Sequence, residues 1–180
     1  MSRSQPPRIT RSYLENASLH YLERFSSSRA NLRRVLMRKV QRSMTHWGEP
    51  SEDDAQALVE GVLAWLARLG YLDDDRYAEA KAASLRAKGK PERAVRAQLA
   101  AKGVEADHID RAMDGLAERG DGGDYAAALV FCRRRKIGPY RQSDRAAFRQ
   151  KDLAALGRAG FGWAVAVKAV DAEPVDLCIR

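Results

Sequence analysis

The sequence is poor in cysteine and histidine, which narrows the possible kinds of site. The two cysteines, Cys132 and Cys178, lie far apart, so no disulfide framework is indicated and a reducing compartment is expected. The three histidines, His20, His46 and His108, fall in different segments, and neither His-x-x-x-His nor Cys-x-x-Cys occurs. No zinc site is therefore supported, and we expect neither a metal nor a cofactor.

Long apolar runs and the common catalytic motifs are also missing. No stretch approaches the roughly 18 apolar residues that a membrane-spanning helix needs, and the N-terminal MSRSQPPRITR has no hydrophobic core of a signal peptide. We therefore expect a cytoplasmic protein without a membrane partner. Neither a phosphate-binding P-loop motif nor a G-x-S-x-G nucleophile motif is present, which favours a protein that is not an enzyme.

The sequence does contain repeated signals for the starts and ends of helices. Aromatic residues are only 7% of the chain, and few segments alternate apolar and polar residues, which favours an all-α fold. The pattern predicts a first helix from Ser12 to about Phe25, a second after Ser26–Ser28, and a loop at HWGEP. Later segments repeat this pattern of caps and glycine stops, and FGWAVAVKAV is predicted to be a short helix rather than a strand.

Three consecutive aspartates, Asp73, Asp74 and Asp75, stand out in the stretch GYLDDDRYAEA. Clustered carboxylates can hold metal ions in nucleases, but such sites gather ligands from separate elements. Neighbouring side chains on one helix point about 100° apart. We therefore expect Asp73 to cap a helix and the next two carboxylates to lie in its positively polarised first turn. Metal binding or acid catalysis is the less favoured alternative.

Internal similarity divides the chain into repeats. Leu36, Leu99 and Leu156 align in three similar helical segments, each with a helix before and after it. The sequence thus predicts an elongated, curved array of three tandem three-helix repeats with short loops, because each repeat is too small to bury a full core alone. The expected divisions are a flexible basic tail at 1–11, repeats at 12–71, 72–119 and 125–172, a linker at 120–124, and a tail at 173–180.

Positive charge is concentrated at two places. Residues 1–42 and 125–168 each carry a net charge of +8, whereas residues 43–124 carry −6. Rows of like charge repel one another unless something acidic contacts them, so these runs either form a solvated surface or contact a polyanion or an acidic partner. The candidate contact residues are Arg33, Arg34, Arg38, Lys39, Arg42, Arg133, Arg134, Arg135, Lys136, Arg141, Arg145 and Arg149.

The junction between the first two repeats resembles the RecX family of RecA regulators. The motif comprises Gly70, Tyr71, Leu72, Asp73, Asp74, Asp75, Arg76, Tyr77 and Ala78. The next repeat matches the family's Arg-x-Leu-like helix ending in Lys-Gly, through Val95, Arg96, Leu99, Lys102 and Gly103. The resemblance extends over about residues 12–170 and is strongest at 68–115.

The resemblance implies a non-enzymatic modulator of RecA, with inhibition as the expected effect. RecX-like proteins bind the RecA filament on single-stranded DNA and restrain filament extension, ATP hydrolysis and strand exchange in DNA repair and the SOS response. The expected partners are thus RecA and single-stranded DNA, the latter contacted directly or through the filament, and a monomer is expected. Two alternatives remain: a basic DNA-binding protein that acts without a recombinase, and an enzyme built on the aspartate triplet.

Overall fold

The computed structural model describes residues 5–120 and 123–173 of the 180-residue chain. Over these residues the fold is entirely helical, with no strand. A short 3₁₀ turn at Gly138–Tyr140 separates the seventh and eighth helices. The described helices are α1 Arg11–Leu22, α2 Arg29–Trp47, α3 Glu52–Arg68, α4 Asp74–Ala87, α5 Glu92–Ala101, α6 Ala106–Glu118, α7 Asp124–Arg135, α8 Arg145–Ala159 and α9 Trp163–Val170.

Local sequence explains most helix boundaries. Ser51 accepts a hydrogen bond from the backbone N–H of Asp54 at 3.2 Å and donates its hydroxyl proton to the Asp54 carboxylate at 2.6 Å, so the two residues form a capping pair at the start of α3. Gly70, Gly89 and Gly103 follow helix ends with φ of 74–75°, a conformation that disfavours residues with a Cβ atom. The segment FGWAVAVKAV does form a helix, α9, as predicted.

Three predicted boundaries were wrong in the first two helices. The first helix begins at Arg11, because the Thr10 side chain accepts a hydrogen bond from Tyr13 N–H, and it ends at Leu22, before Phe25. The second helix continues to Trp47 instead of ending before HWGEP. Its last residue is held by a contact remote in sequence, because the Trp47 indole N–H donates to the carbonyl of Pro6 at 2.8 Å.

The helices divide into two compact units. The first unit comprises α1, α2, α3, the beginning of α4 and the segment Lys102–Val104. Its core consists of buried aliphatic side chains, most of which come from the apolar stripes of amphipathic helices that turn inward. The core residues are Leu14, Leu32, Leu36, Val40, Ala55, Val59, Val62, Leu63, Leu66 and Leu72.

The second unit comprises the remainder of α4 and helices α5 to α9. Leu99 on α5 and Leu156 on α8 are fully buried, as is Leu36 in the first unit. The three aligned leucines are therefore all core residues. The helices α7, α8 and α9 enclose a core rich in alanine, where Ala128 and Cys132 are completely buried.

Parts of three predicted segments lie outside the described residues. These parts are 1–4 of the N-terminal tail, 121–122 of the linker and 174–180 of the C-terminal tail. Within the predicted linker, Asp124 is already the first residue of α7. None of the described helices is both long enough and apolar enough to span a lipid bilayer.

Candidate partner and nucleic-acid interface

The basic side chains of α2 fall into two groups, one that contacts α3 and one that is exposed on the surface. Arg33 and Arg29 both donate to the carboxylate of Glu60 on α3, each at 2.7 Å. Partial burial raises the pKa of Glu60, but the hydrogen bonds from the two guanidinium groups outweigh that effect, and the net pKa is lowered. Arg33 thus stabilises the packing of α2 on α3, as well as being a candidate for partner binding.

The outward part of the run consists of Arg34, Arg38 and Arg42, whose side chains are exposed. Lys39 is half-buried, and its ammonium group lies 6.0 Å from the centre of the Tyr13 ring on α1. Arg42 donates through Nε to the carbonyl of Arg38 at 3.3 Å. The structure therefore brings together a set of cationic side chains along one side of α2.

A surface groove of about 800 Å³ lies beside these residues in the first unit. Lys39, Arg42 and His46 line it from α2 and Tyr13 lines it from α1, while Pro6 and Pro7 form part of its edge. The tail segment is held there by the bond between Trp47 and Pro6 and by Arg8, whose guanidinium lies 4.9 Å from the Trp47 ring centre. Lys39 and Arg42 are among the predicted contact residues, whereas Tyr13 and His46 were not predicted.

The second basic run ends α7, and all four of its side chains, at 133–136, are exposed. Arg134 donates to the carbonyl of Lys88 at 3.1 Å. It thereby supplies a hydrogen-bond donor to a carbonyl group at the C-terminal end of α4, where the helix itself offers none. The Arg135 guanidinium lies 5.5 Å from the Phe131 ring centre. Lys136 caps the helix with φ of 54°, a left-handed conformation that is uncommon outside glycine.

The candidates Arg141, Arg145 and Arg149 form a row spaced by four residues in the sequence, but they do not lie along one helix, because α8 begins only at Arg145. Each side chain instead binds another part of the second unit. Arg145 donates to the carbonyls of Val170 and Ala172 beyond the end of α9, at 3.1 and 2.9 Å. Arg149 forms a bidentate ion pair with Asp171, with N–O distances of 2.7 and 2.6 Å.

Arg141 has the most buried acidic partner of this row. It donates to both carboxylate oxygens of Asp152, which is 2% exposed and also accepts the backbone N–H of Gly138 at 2.9 Å. Burial raises the pKa of Asp152, but the hydrogen bonds from Arg141 and Gly138 outweigh it and the net pKa is lowered. A role of these three arginines in partner binding stays a prediction, and their observed contacts are internal.

The junction motif has a structural role in the described chain. Asp73 accepts the backbone N–H of Arg76 at 2.9 Å, which confirms it as the cap of α4. Asp74 accepts the backbone N–H of Arg29, the first residue of α2, at 2.8 Å. Tyr77 is 7% exposed, and burial raises the pKa of its hydroxyl. The side chain of Arg76 donates to the carbonyl of Gly70 at 3.0 Å.

The same arrangement recurs at the next junction. Asp124, the first residue of α7, accepts the backbone N–H of Glu92, the first residue of α5, at 2.8 Å. Asp124 also accepts a bond from Arg86, which is 5% exposed, at 2.5 Å. An aspartate that begins each following repeat thus caps the middle helix of the preceding repeat, which could not be predicted because its partner is remote in sequence.

Among residues 5–120 and 123–173, no group of three or more His, Cys, Asp or Glu side chains is arranged to hold a metal ion. Two members of the triplet, Asp73 and Asp74, accept backbone N–H groups at the starts of α4 and α2. The arrangement as a whole defines an all-α helical repeat protein with a cationic groove in its first unit and with salt-bridged basic side chains in its second.

Comparison with known proteins identifies the class. The family model described as "RecX, second three-helix domain" matches residues 73–113, which run from the cap of α4 into α6. The chain is 40% identical to the Regulatory protein RecX of Myxococcus xanthus over 173 residues, covering 94% of this chain and 90% of that protein. It is 29% identical to the Regulatory protein RecX of Agrobacterium fabrum, covering 87% and 81% of the two chains. The chain therefore belongs to the RecX family of regulatory proteins.

Solved structures of RecX share the fold at low sequence identity. A crystal structure of RecX from Lactobacillus salivarius superposes with a TM-score of 0.62 at 17% identity, covering 93% of this chain and 96% of that one. A second crystal structure of regulatory protein RecX gives a TM-score of 0.58 at 20% identity, covering 90% and 72% of the two chains. The all-α helical repeat fold predicted from the sequence is confirmed by these similarities.

Proposed function

We propose that this protein binds the RecA recombinase filament on single-stranded DNA and restrains its extension, ATP hydrolysis and strand exchange. The observation that carries this proposal is the 40% identity to a RecX protein over nearly the whole chain. The protein acts by binding, as a monomer in the cytoplasm, and not as an enzyme. Three helical repeats at 12–71, 72–119 and 125–172 present the binding surfaces.

The electrostatics of the exposed basic side chains support this proposal. Arg34 and Arg38 on α2 and Arg133 and Lys136 at the end of α7 are all exposed. Exposed guanidinium and ammonium groups attract DNA phosphates or the acidic surface of a protein partner. Arg141, Arg145 and Arg149 bind Asp152, the end of α9 and Asp171, so a partner that contacts these three arginines would have to compete with internal bonds.

The test is the ATPase rate of the recombinase from the same organism on single-stranded DNA, titrated with this protein. Inhibition at substoichiometric amounts is expected, because a protein seated along a filament affects several subunits. The variant pairs Arg34→Ala/Arg38→Ala and Arg133→Ala/Lys136→Ala would show which basic surface contributes. Arg24→Ala/Arg68→Ala is the matched control, with two exposed charges removed elsewhere. An unchanged ATPase rate at equimolar wild-type protein would contradict the proposal.

A second candidate function is direct DNA binding without a recombinase. It is favoured by the net charge of +8 that residues 1–42 carry alone. Affinity for single strands would then fall steeply with salt, with a log–log slope of about −0.7 for each contacted phosphate. Tight, salt-sensitive DNA binding combined with no effect on the recombinase would favour this second function over the first.

A further inference from the structure

The groove between α1, α2 and the segment that precedes α1 combines features that the basic run alone does not have. Its volume of about 800 Å³ lies within the range of roughly 300–1,000 Å³ that ligand sites occupy. Lys39, Arg42 and His46 line one side, spaced by three and four residues on α2. Residues at that spacing lie on one face, with Cβ atoms about 5–6 Å apart.

The charge of the groove is of one sign. Among the described residues, no carboxylate lines it, and its other lining groups are Tyr13, amide or hydroxyl side chains and the two prolines at positions 6 and 7. On the elements that form the groove or adjoin them, Glu15 pairs with Arg11 and Glu49 pairs with Arg8. The groove therefore presents a cationic wall with no acidic group to neutralise it from within, in contrast to the salt-bridged arginines of the second unit.

The shape and chemistry of the groove favour a nucleic acid strand. Cations repeated along a helix suit a backbone that carries a negative charge at every nucleotide. Tyr13 adds an aromatic surface of the kind on which unpaired bases stack. The half-buried Lys39 contacts this ring, which restricts the ammonium group before any ligand binds. An acidic peptide would satisfy the charges but would make no use of base stacking.

We propose that this groove binds the phosphate backbone of single-stranded nucleic acid directly, through Lys39, Arg42 and His46, with Tyr13 as a stacking surface. The inference deepens the proposed function and rests on it for the biological setting. Contact with the filament would then include its DNA and not only its recombinase subunits. The groove also gives the first repeat a role separate from that of the exposed Arg34 and Arg38.

The experiment measures fluorescence anisotropy of a labelled oligothymidylate with the full-length protein alone, at several salt concentrations. Lys39→Ala/Arg42→Ala is expected to flatten the log–log salt slope by about 1.4, since each lost phosphate contact removes about 0.7. Its affinity at 50 mM salt should fall at least about tenfold, because the counterion-release limit for two contacts is roughly 60-fold. Arg24→Ala/Arg68→Ala, which removes two exposed charges outside the groove, should leave the slope within about 0.3 of wild type.

A second variant guards against an effect on folding. Lys39 is half-buried, whereas Arg42 and His46 are exposed, so Arg42→Ala/His46→Ala should keep the wild-type circular dichroism and melting temperature. A loss of about 0.7 in the slope of this variant, for the single phosphate contact of Arg42, supports the groove. Equal binding by the groove variants and the control variant would overturn it.

Two competitors identify the class of ligand. Polyglutamate should displace the labelled strand far less effectively than unlabelled oligothymidylate, and equal displacement would place an acidic protein segment in the groove instead. A duplex of the same length should bind more weakly, and tighter duplex binding would overturn the assignment of a single strand. The ATPase titration separates the two proposals: recombinase inhibition without oligothymidylate binding would refute the groove and leave the proposed function standing.

Discussion

The two junction aspartates allow a matched test of how the repeats are held together. Asp74 and Asp124 each accept the first backbone N–H of a middle helix, both at 2.8 Å. Only Asp124 also binds a buried guanidinium, that of Arg86. Alanine at either position therefore removes a helix cap. Asp124→Ala also removes the carboxylate that pairs with the buried guanidinium of Arg86.

The expected magnitudes follow from these contacts. Loss of a capping carboxylate costs about 0.5–2 kcal/mol of unfolding free energy, so we expect about 1 kcal/mol for Asp74→Ala. Breaking a buried ion pair costs about 3–5 kcal/mol. Asp124 is 25% exposed, so water replaces part of the lost interaction and about 2–4 kcal/mol is expected in total for Asp124→Ala. The difference between the two variants should thus be about 2 kcal/mol.

The assay is urea unfolding followed by circular dichroism, with hydrogen exchange to show which compact unit opens first. Asp124→Asn should be intermediate, because its oxygen can still accept the Glu92 N–H while the charge opposite Arg86 is lost. Asp124→Ala combined with Arg86→Met should recover part of the stability, since the buried charge is removed with its partner. A loss in Asp74→Ala equal to or greater than that in Asp124→Ala would refute this reasoning.

Three further predictions concern single side chains. Hydrogen bonds lower the pKa of Asp152 below its ordinary value of 3.8. The charged carboxylate therefore stabilises the fold above that pH, and this stabilisation is lost as the pH falls through the folded-state pKa. The difference in unfolding free energy between wild type and Asp152→Asn should thus narrow below pH 3.8. Gly103→Ala should cost about 1–3 kcal/mol more than Gly70→Ala, because both have φ of 75° but only at Gly103 would the new Cβ meet another side chain, at 2.5 Å. Burial raises the pKa of Cys132 to about 12, so in a Cys178→Ala background iodoacetamide should label the thiol only after unfolding.

Each of these measurements has a clear contrary result. Chemical denaturation at pH 2–5 would contradict the ion-pair account if the gap between wild type and Asp152→Asn stayed constant. Thermal melting would contradict the steric account if the two glycine variants were equally stable. Mass spectrometry would contradict the burial of Cys132 if the folded protein were labelled at pH 8 as rapidly as the unfolded chain.

The outcome at individual helices shows why some boundaries are predictable. The Ser51 cap, the Asp73 cap and the glycine stops at 70, 89 and 103 depend on side chains and backbone angles within a few residues of the helix end. The end of α2 was misjudged because Trp47 is held by Pro6, which lies on the other side of α1 in the sequence. Such a contact has no local pattern from which it could be predicted.

The helical class, the aligned core leucines at 36, 99 and 156, and the family resemblance of the junction motif could all be predicted from the sequence, because these depend on periodicity and short-range chemistry. The partner of each charged side chain could not be predicted in this way and is known only from the folded structure. It paired Arg141 with the buried Asp152, placed Asp74 and Asp124 on distant helix starts, and brought Tyr13 beside Lys39 in one groove. The physical reason is that the partner of a charged side chain is chosen by proximity in space, and sequence spacing fixes that proximity only within a helix.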